Sequence, residues 1–246
     1  MTTKDPYKHC KDPELDKLLK DTVFLLRKLK FTGEKIGEEH KKWKKELENH
    51  AMKASKGLRK NAEAYKTNSN EIELKTVFES AKAHNPLFFY LDTFFIDLKR
   101  AVEFSLKFLA KTENISMEKF SLGKTIYQLE EGYTNQKSSF VLMTEKKYPK
   151  YFEYLKANKS WLLDIRKKST NASHKSIYYE VRGFEITFKW NSVESIKDRP
   201  QITSGGLKIS GEEIISLINK DLAKIAEFYD QTVNLRKDLI INYDNY

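Results

Sequence analysis

The chain has 246 residues, of which 39% are hydrophobic and 33% charged, and its formal net charge is +10. That length supports one sizeable core, or at most two small ones. A single cysteine, Cys10, excludes an internal disulfide and any zinc site that needs two thiolates.

Glycine (9) and proline (5) are sparse, which favours long helices over a turn-rich all-strand fold. Fifteen Phe, 13 Tyr and 3 Trp predict a bulky core. Met1 to Cys10 hold no apolar signal-peptide core. The most apolar stretch, Leu87 to Leu98, is broken by Asp92 and Asp97. A membrane span is therefore not expected, and a cytoplasmic setting is. The N-x-S triplets at Asn114, Asn158 and Asn171 then read as chance matches to a glycosylation signal. Residues 1–66 hold 18 Lys/Arg against 11 Asp/Glu, so most of the positive excess sits there. Such a surface can attract nucleic acid or an anionic membrane, although a Lys-rich soluble surface is the preferred reading because Lys greatly outnumbers Arg.

Asp12-Pro13 predicts the start of the first helix, a capping residue followed by Pro in the first turn. Leu15, Leu19, Leu26 and Leu29 share one face of it. Gly33 and Gly37 predict a bend. A second helical stretch then carries a thin stripe of Ile36, Trp43, Leu47, Ala51, Ala54, Leu58, Ala62 and Tyr65. A stripe that narrow suits a peripheral helix or one that pairs with a partner. Another helix is expected after Asn85-Pro86, with Leu91, Phe95, Leu98, Val102, Leu106 and Leu109 as its buried stripe. Leu122, Ile126 and Leu129 suggest the next helix, and apolar positions continue from Phe140 to Leu155. Trp161, Leu162 and Ile165 begin a short one. After His174 the period falls to two: Ile177, Tyr179 and Val181, then Phe184, Ile186, Phe188 and Trp190, predict a β-hairpin turning near Arg182-Gly183. Ser210 is expected to cap a last helix with the stripe Ile214, Ile218, Leu222, Ile225 and Tyr229.

Phosphate-loop, dinucleotide, zincin and serine-hydrolase motifs are all missing. Glu38-Glu39-His40 reads as a surface cluster rather than a ligand set. His9 and Cys10 lie near a terminus expected to fray and are given no role, and His50 and His84 have no evident partners. No cofactor or metal is expected.

Residues 161–179, W-L-L-D-I-R-K-K-S-T-N-A-S-H-K-S-I-Y-Y, hold most of the functional signal. This stretch resembles the HEPN superfamily, helical bundles that carry an Arg, four to six residues, then a His where a helix meets a turn. Phe120 to Ile126 and the long helix Leu87 to Leu109 resemble other bundle elements of that family. The resemblance spans about residues 85–240. It implies a mainly α fold, a helical bundle, to which the alternating pattern adds a small β-hairpin inserted before the C-terminal helix. Residues 1–70 would be a basic N-terminal helical extension, and 71–246 the HEPN-like domain with its hairpin near 177–190. It also implies metal-independent RNA cleavage at the interface of a homodimer. His174 would take the 2′-hydroxyl proton and a cation would meet the charge developing on phosphorus. Arg166, Lys168 and Asn171 are the candidates beside it. Seven residues separate Arg166 from His174, and Lys168 and Ser169 stand six and five before the His.

Three readings follow. The chain is a metal-independent endoribonuclease of toxin or phage-defence type. Alternatively, it is a catalytically inactive HEPN-like module that binds nucleic acid, a nucleotide or a protein. Or it is a scaffold that recruits a protein partner through its basic N-terminal helices.

Overall fold

A computed structural model describes residues 8–64, 74–80, 86–116, 121–129, 136–174, 181–189, 192–201 and 211–242. Helix dominates it: α1 (Pro13–Ala64), α2 (Pro86–Thr112), α3 (Leu122–Gln128), α4 (Ser139–Lys147), α5 (Pro149–Ala157), α6 (Lys159–His174) and α7 (Gly211–Asn234). The strands are β1 (Lys8–Cys10), β2 (Leu74–Ser80), β3 (Val181–Lys189), β4 (Ser192–Gln201) and β5 (Ile240–Asn242). The fold is mainly α, as expected.

Helix boundaries follow local chemistry. The Asp12 carboxylate accepts hydrogen bonds from the N–H groups of Glu14 (2.8 Å) and Leu15 (3.2 Å), which caps α1 ahead of Pro13. Gly33 and Gly37 do not interrupt the helix, since α1 runs unbroken over 52 residues. Each interior glycine costs about 1 kcal/mol relative to Ala, and burial of Leu29, Thr32 and Ile36 around them offsets that. Asn114 ends α2 with φ 54°, while Asn114 N–H donates to Lys111 C=O and Ile115 N–H to Ala110 C=O. This is the paired closing bond of a left-handed C-terminal cap. Tyr148, held out of helical geometry before Pro149, divides α4 from α5.

The chain packs as two units. The first comprises Met1–Phe31, Phe94–Ser173 and Lys220–Tyr246, and the second Thr32–Thr93 and His174–Asn219. In the first unit, Leu15 and Leu19 of α1, Phe108 of α2, and Tyr229 and Val233 of α7 form one cluster with Cys10. Tyr151, Tyr154, Trp161 and Phe228 extend it between α5, α6 and α7. At one end, Glu113 accepts from Tyr148 Oη (2.6 Å) and Arg236 (3.0 Å) and pairs with Lys147. Arg236 also donates to Thr112 C=O, so this node ties the ends of α2, α4 and α7. Cys10 does not fray: β1 pairs antiparallel with β5, and Asp16 accepts from Cys10 N–H.

The second unit holds an antiparallel ladder in the order β2-β3-β4. Phe184 of β3 stands opposite Phe78 of β2 and Asp198 of β4. The hairpin expected at 177–190 is not shown in that form. Ile177–Glu180 and Trp190 lie outside the described residues, and Arg182-Gly183, the expected turn, sits inside β3. Ser210 likewise lies outside them. Ile36, Leu87, Leu91, Ile214 and Ile218 are buried. No described helix is long and apolar enough to cross a membrane.

Candidate functional site

The residues singled out by sequence, Arg166, Lys168, Asn171 and His174, all belong to α6. Trp161, Leu162, Ile165, Lys168, Ser169 and Ala172 recur at helical spacing and are its buried positions. Lys168 therefore occupies an inward position of an otherwise apolar face, at 4% exposure.

Its ammonium is fully engaged there. Lys168 Nζ lies 2.5 Å from Asp164 Oδ2, one turn back on the same helix, and 5.2 Å from the centre of the Phe95 ring of α2. Asp221 of α7, only 2% exposed, accepts a hydrogen bond of 2.9 Å from Trp161 Nε1. Burial pushes the Asp221 carboxyl above its ordinary range, against the opposing pull of the Lys168 charge and the Trp161 N–H. The result is an acid–base cluster where α6 meets α2 and α7, with Lys168 and Asp221 buried and Asp164 at its solvent edge. It anchors α6, and its cation is not open to a polyanion.

Arg166 faces differently. Its guanidinium carbon stands 5.7 Å from the centre of the Tyr127 ring. A Cβ built on Gly123 would come within 2.5 Å of Arg166 Nε. The glycine of α3 thus leaves the seat that the half-buried guanidinium fills, with Tyr127 as its stacking surface. Lys167, between the two, is exposed.

Asn171 and His174 lie in the last turns of α6, and their side chains fall outside the described residues. The structure thus brings Lys168 to Asp164 and Phe95, and Arg166 to Gly123 and Tyr127. Asp164, Asp221 and Trp161 are missing from the sequence-based site. The spacing Trp161–Ile165–Lys168–Ala172 could have revealed the inward lysine, but a charged residue inside a stripe reads at first as its edge.

Elsewhere, Glu38 pairs with Lys35 and Glu39 with Lys42, so the Glu38-Glu39-His40 cluster is a charge-balanced helix surface. Among the described residues, no group of His, Cys, Asp or Glu could hold a metal ion. Burial, then the charges of Asp16 and Asp12, push the Cys10 thiol upward, away from the thiolate form.

No protein-family model matches the chain, and no curated protein or solved structure does.

Proposed function

We propose that this protein is a HEPN-like helical module that associates with RNA and does not cut it. The observation that carries this reading is the burial of Lys168 against Asp164 and Phe95, with Arg166 seated on Tyr127. Metal-independent cleavage needs a cation free to meet charge on the phosphorane, and both described cations of the motif are otherwise engaged. Attraction to RNA rests on the net charge of +10 and on exposed lysines such as Lys17, Lys30, Lys146, Lys150 and Lys167. A homodimer belongs to the same proposal through the family resemblance, and a cytoplasmic setting and a hairpin inserted before the last helix belong to it through the sequence pattern.

The test is fluorescence anisotropy with a labelled single-stranded RNA, beside a cleavage assay in EDTA. For about four phosphate contacts, binding weakens roughly fiftyfold between 50 and 200 mM salt. The RNA stays intact and His174→Ala binds as the parent does. RNA cut in EDTA, with cutting abolished by His174→Ala, would overturn this reading in favour of an endoribonuclease of toxin or phage-defence type. Failure to bind at low salt would overturn the RNA association itself.

A further inference from the structure

Tyr127 of α3 carries a large ring and is 48% exposed. We propose that this ring, with the Arg166 guanidinium over it, is a stacking platform for an unpaired base of single-stranded RNA, whose adjoining phosphate Arg166 holds. The proposal rests on the RNA association put forward above and gives it a place on the chain.

The platform begins with the pattern of α3. Leu122, Thr125, Ile126 and Leu129 are buried, whereas Ser121, Lys124 and Tyr127, at intervals of three, are exposed. Helical spacing thus puts Tyr127 and Lys124 on one outer face. Gly123 is buried, and α6 comes closest there. A Cβ on it would stand 2.5 Å from Nε, 2.9 Å from Cζ and 3.2 Å from Cδ of Arg166. The missing side chain is what lets the guanidinium lie beside α3, with its carbon 5.7 Å from the centre of the Tyr127 ring. The cation covers one face of the ring, and the exposure leaves the other to a base.

The second observation concerns the N–H groups of Arg166. The side chain is half-buried, yet no carboxylate or carbonyl accepts from it among the described residues. A guanidinium whose face lies on an aromatic ring still has its edge to offer to two phosphate oxygens. The seat fixes the group in place. It therefore suits a resting backbone phosphate rather than charge that develops and moves during cleavage.

Charge selects the same partner. Helices α3 and α6 together carry Lys124, Lys159, Arg166, Lys167 and Lys168 against Asp164 alone. Lys168 is paired with that Asp, while Lys124 and Lys167 are exposed and have no ion pair among the described residues. A polyanion approaching Tyr127 thus meets cations and no unpaired carboxylate of these two helices. In a duplex the bases are already stacked on one another, so an exposed ring favours a strand whose bases are free.

The experiment measures binding of the full chain to three labelled RNAs of equal length by fluorescence anisotropy at 50 mM salt. They are an oligouridine, an abasic ribose-phosphate strand and a duplex. The oligouridine binds more tightly than either of the others. Tyr127→Ala, at an exposed position, keeps the helical circular dichroism, weakens the oligouridine about tenfold and moves the abasic strand less than twofold. Tyr127→Phe, which retains a ring, recovers most of that loss. Arg166→Gln weakens both single strands alike and lowers the salt slope by about one. The proposal falls if Tyr127→Ala leaves the oligouridine within twofold, if it weakens the abasic strand equally, or if Arg166→Gln changes neither strand. RNA association itself survives each of those results. Failure of all three RNAs to bind the parent protein would overturn both.

Discussion

Replacing Lys168 by Ala and by Met separates its packing from its charge. The stem beyond Cβ holds three methylenes buried at 4% residue exposure, worth about 2.4 kcal/mol at roughly 0.8 kcal/mol each. The cation over the Phe95 ring contributes about 1 kcal/mol. The Asp164 pair contributes little more, because that carboxylate is 47% exposed and already solvated. Lys168→Ala also leaves a void and strips Asp221 of its nearby positive charge. A total near 3 kcal/mol follows, at the lower edge of the cost of breaking a buried pair. Lys168→Met keeps the stem and removes the expense of burying an ammonium, so its loss should stay within about 1 kcal/mol. Urea denaturation followed by Trp fluorescence measures both, as a shift in midpoint at constant m-value. Equal losses in the two variants would refute the packing argument. Loss of RNA binding by a folded Lys168→Met protein would refute the placement of this charge away from RNA.

Asp221→Asn keeps an acceptor for Trp161. The folded Asp221 carboxyl sits above its ordinary range, so its ionised form works against folding at neutral pH. The substitution should raise Tm at pH 7, and the gain should vanish as pH falls through that raised value and the parent itself becomes neutral. Burial alone would raise Glu113, but Lys147, Tyr148 and Arg236 more than offset it and hold the carboxyl below its ordinary range. Its contribution is thus complete above the ordinary Glu range and disappears as pH drops through the depressed value. Glu113→Gln should cost about 2 kcal/mol at pH 7 by thermal denaturation and flatten the acid limb of the stability profile. Gly123→Ala should push Arg166 off Tyr127 at a cost of about 1 kcal/mol. In a double-mutant cycle, Arg166→Ala should then add almost nothing to that loss.

Signals that act over one or two residues were the most legible. Asp12-Pro13 and Asn85-Pro86 mark helix starts because capping and proline geometry need no distant partner. The break at Tyr148-Pro149 belongs to the same kind, yet continuous apolar positions from Phe140 to Leu155 disguise it as one segment. Gly33 and Gly37 lie inside one unbroken helix, where Ile36 between them is buried, and burial of that kind is not visible in local sequence. In α6, the residue types that suggest a phosphate-handling cation were visible, but their direction was not. Lys168 and Arg166 are six and eight residues before His174, and only the companions Asp164, Phe95, Gly123 and Tyr127 reveal what each cation faces. Those companions come mostly from other helices, so spacing within 161–174 could not supply them.

The chain passes between its two units four times, after Phe31, Thr93, Ser173 and Asn219. Each passage falls within a helix rather than a loop. A protease searching for an accessible linker would meet regular hydrogen-bonded backbone at every one of these points. Gene truncation at any of them would sever a helix midway or at its final turn and strand its apolar stripe. This protein is therefore poorly suited to being divided at the boundaries between its two units.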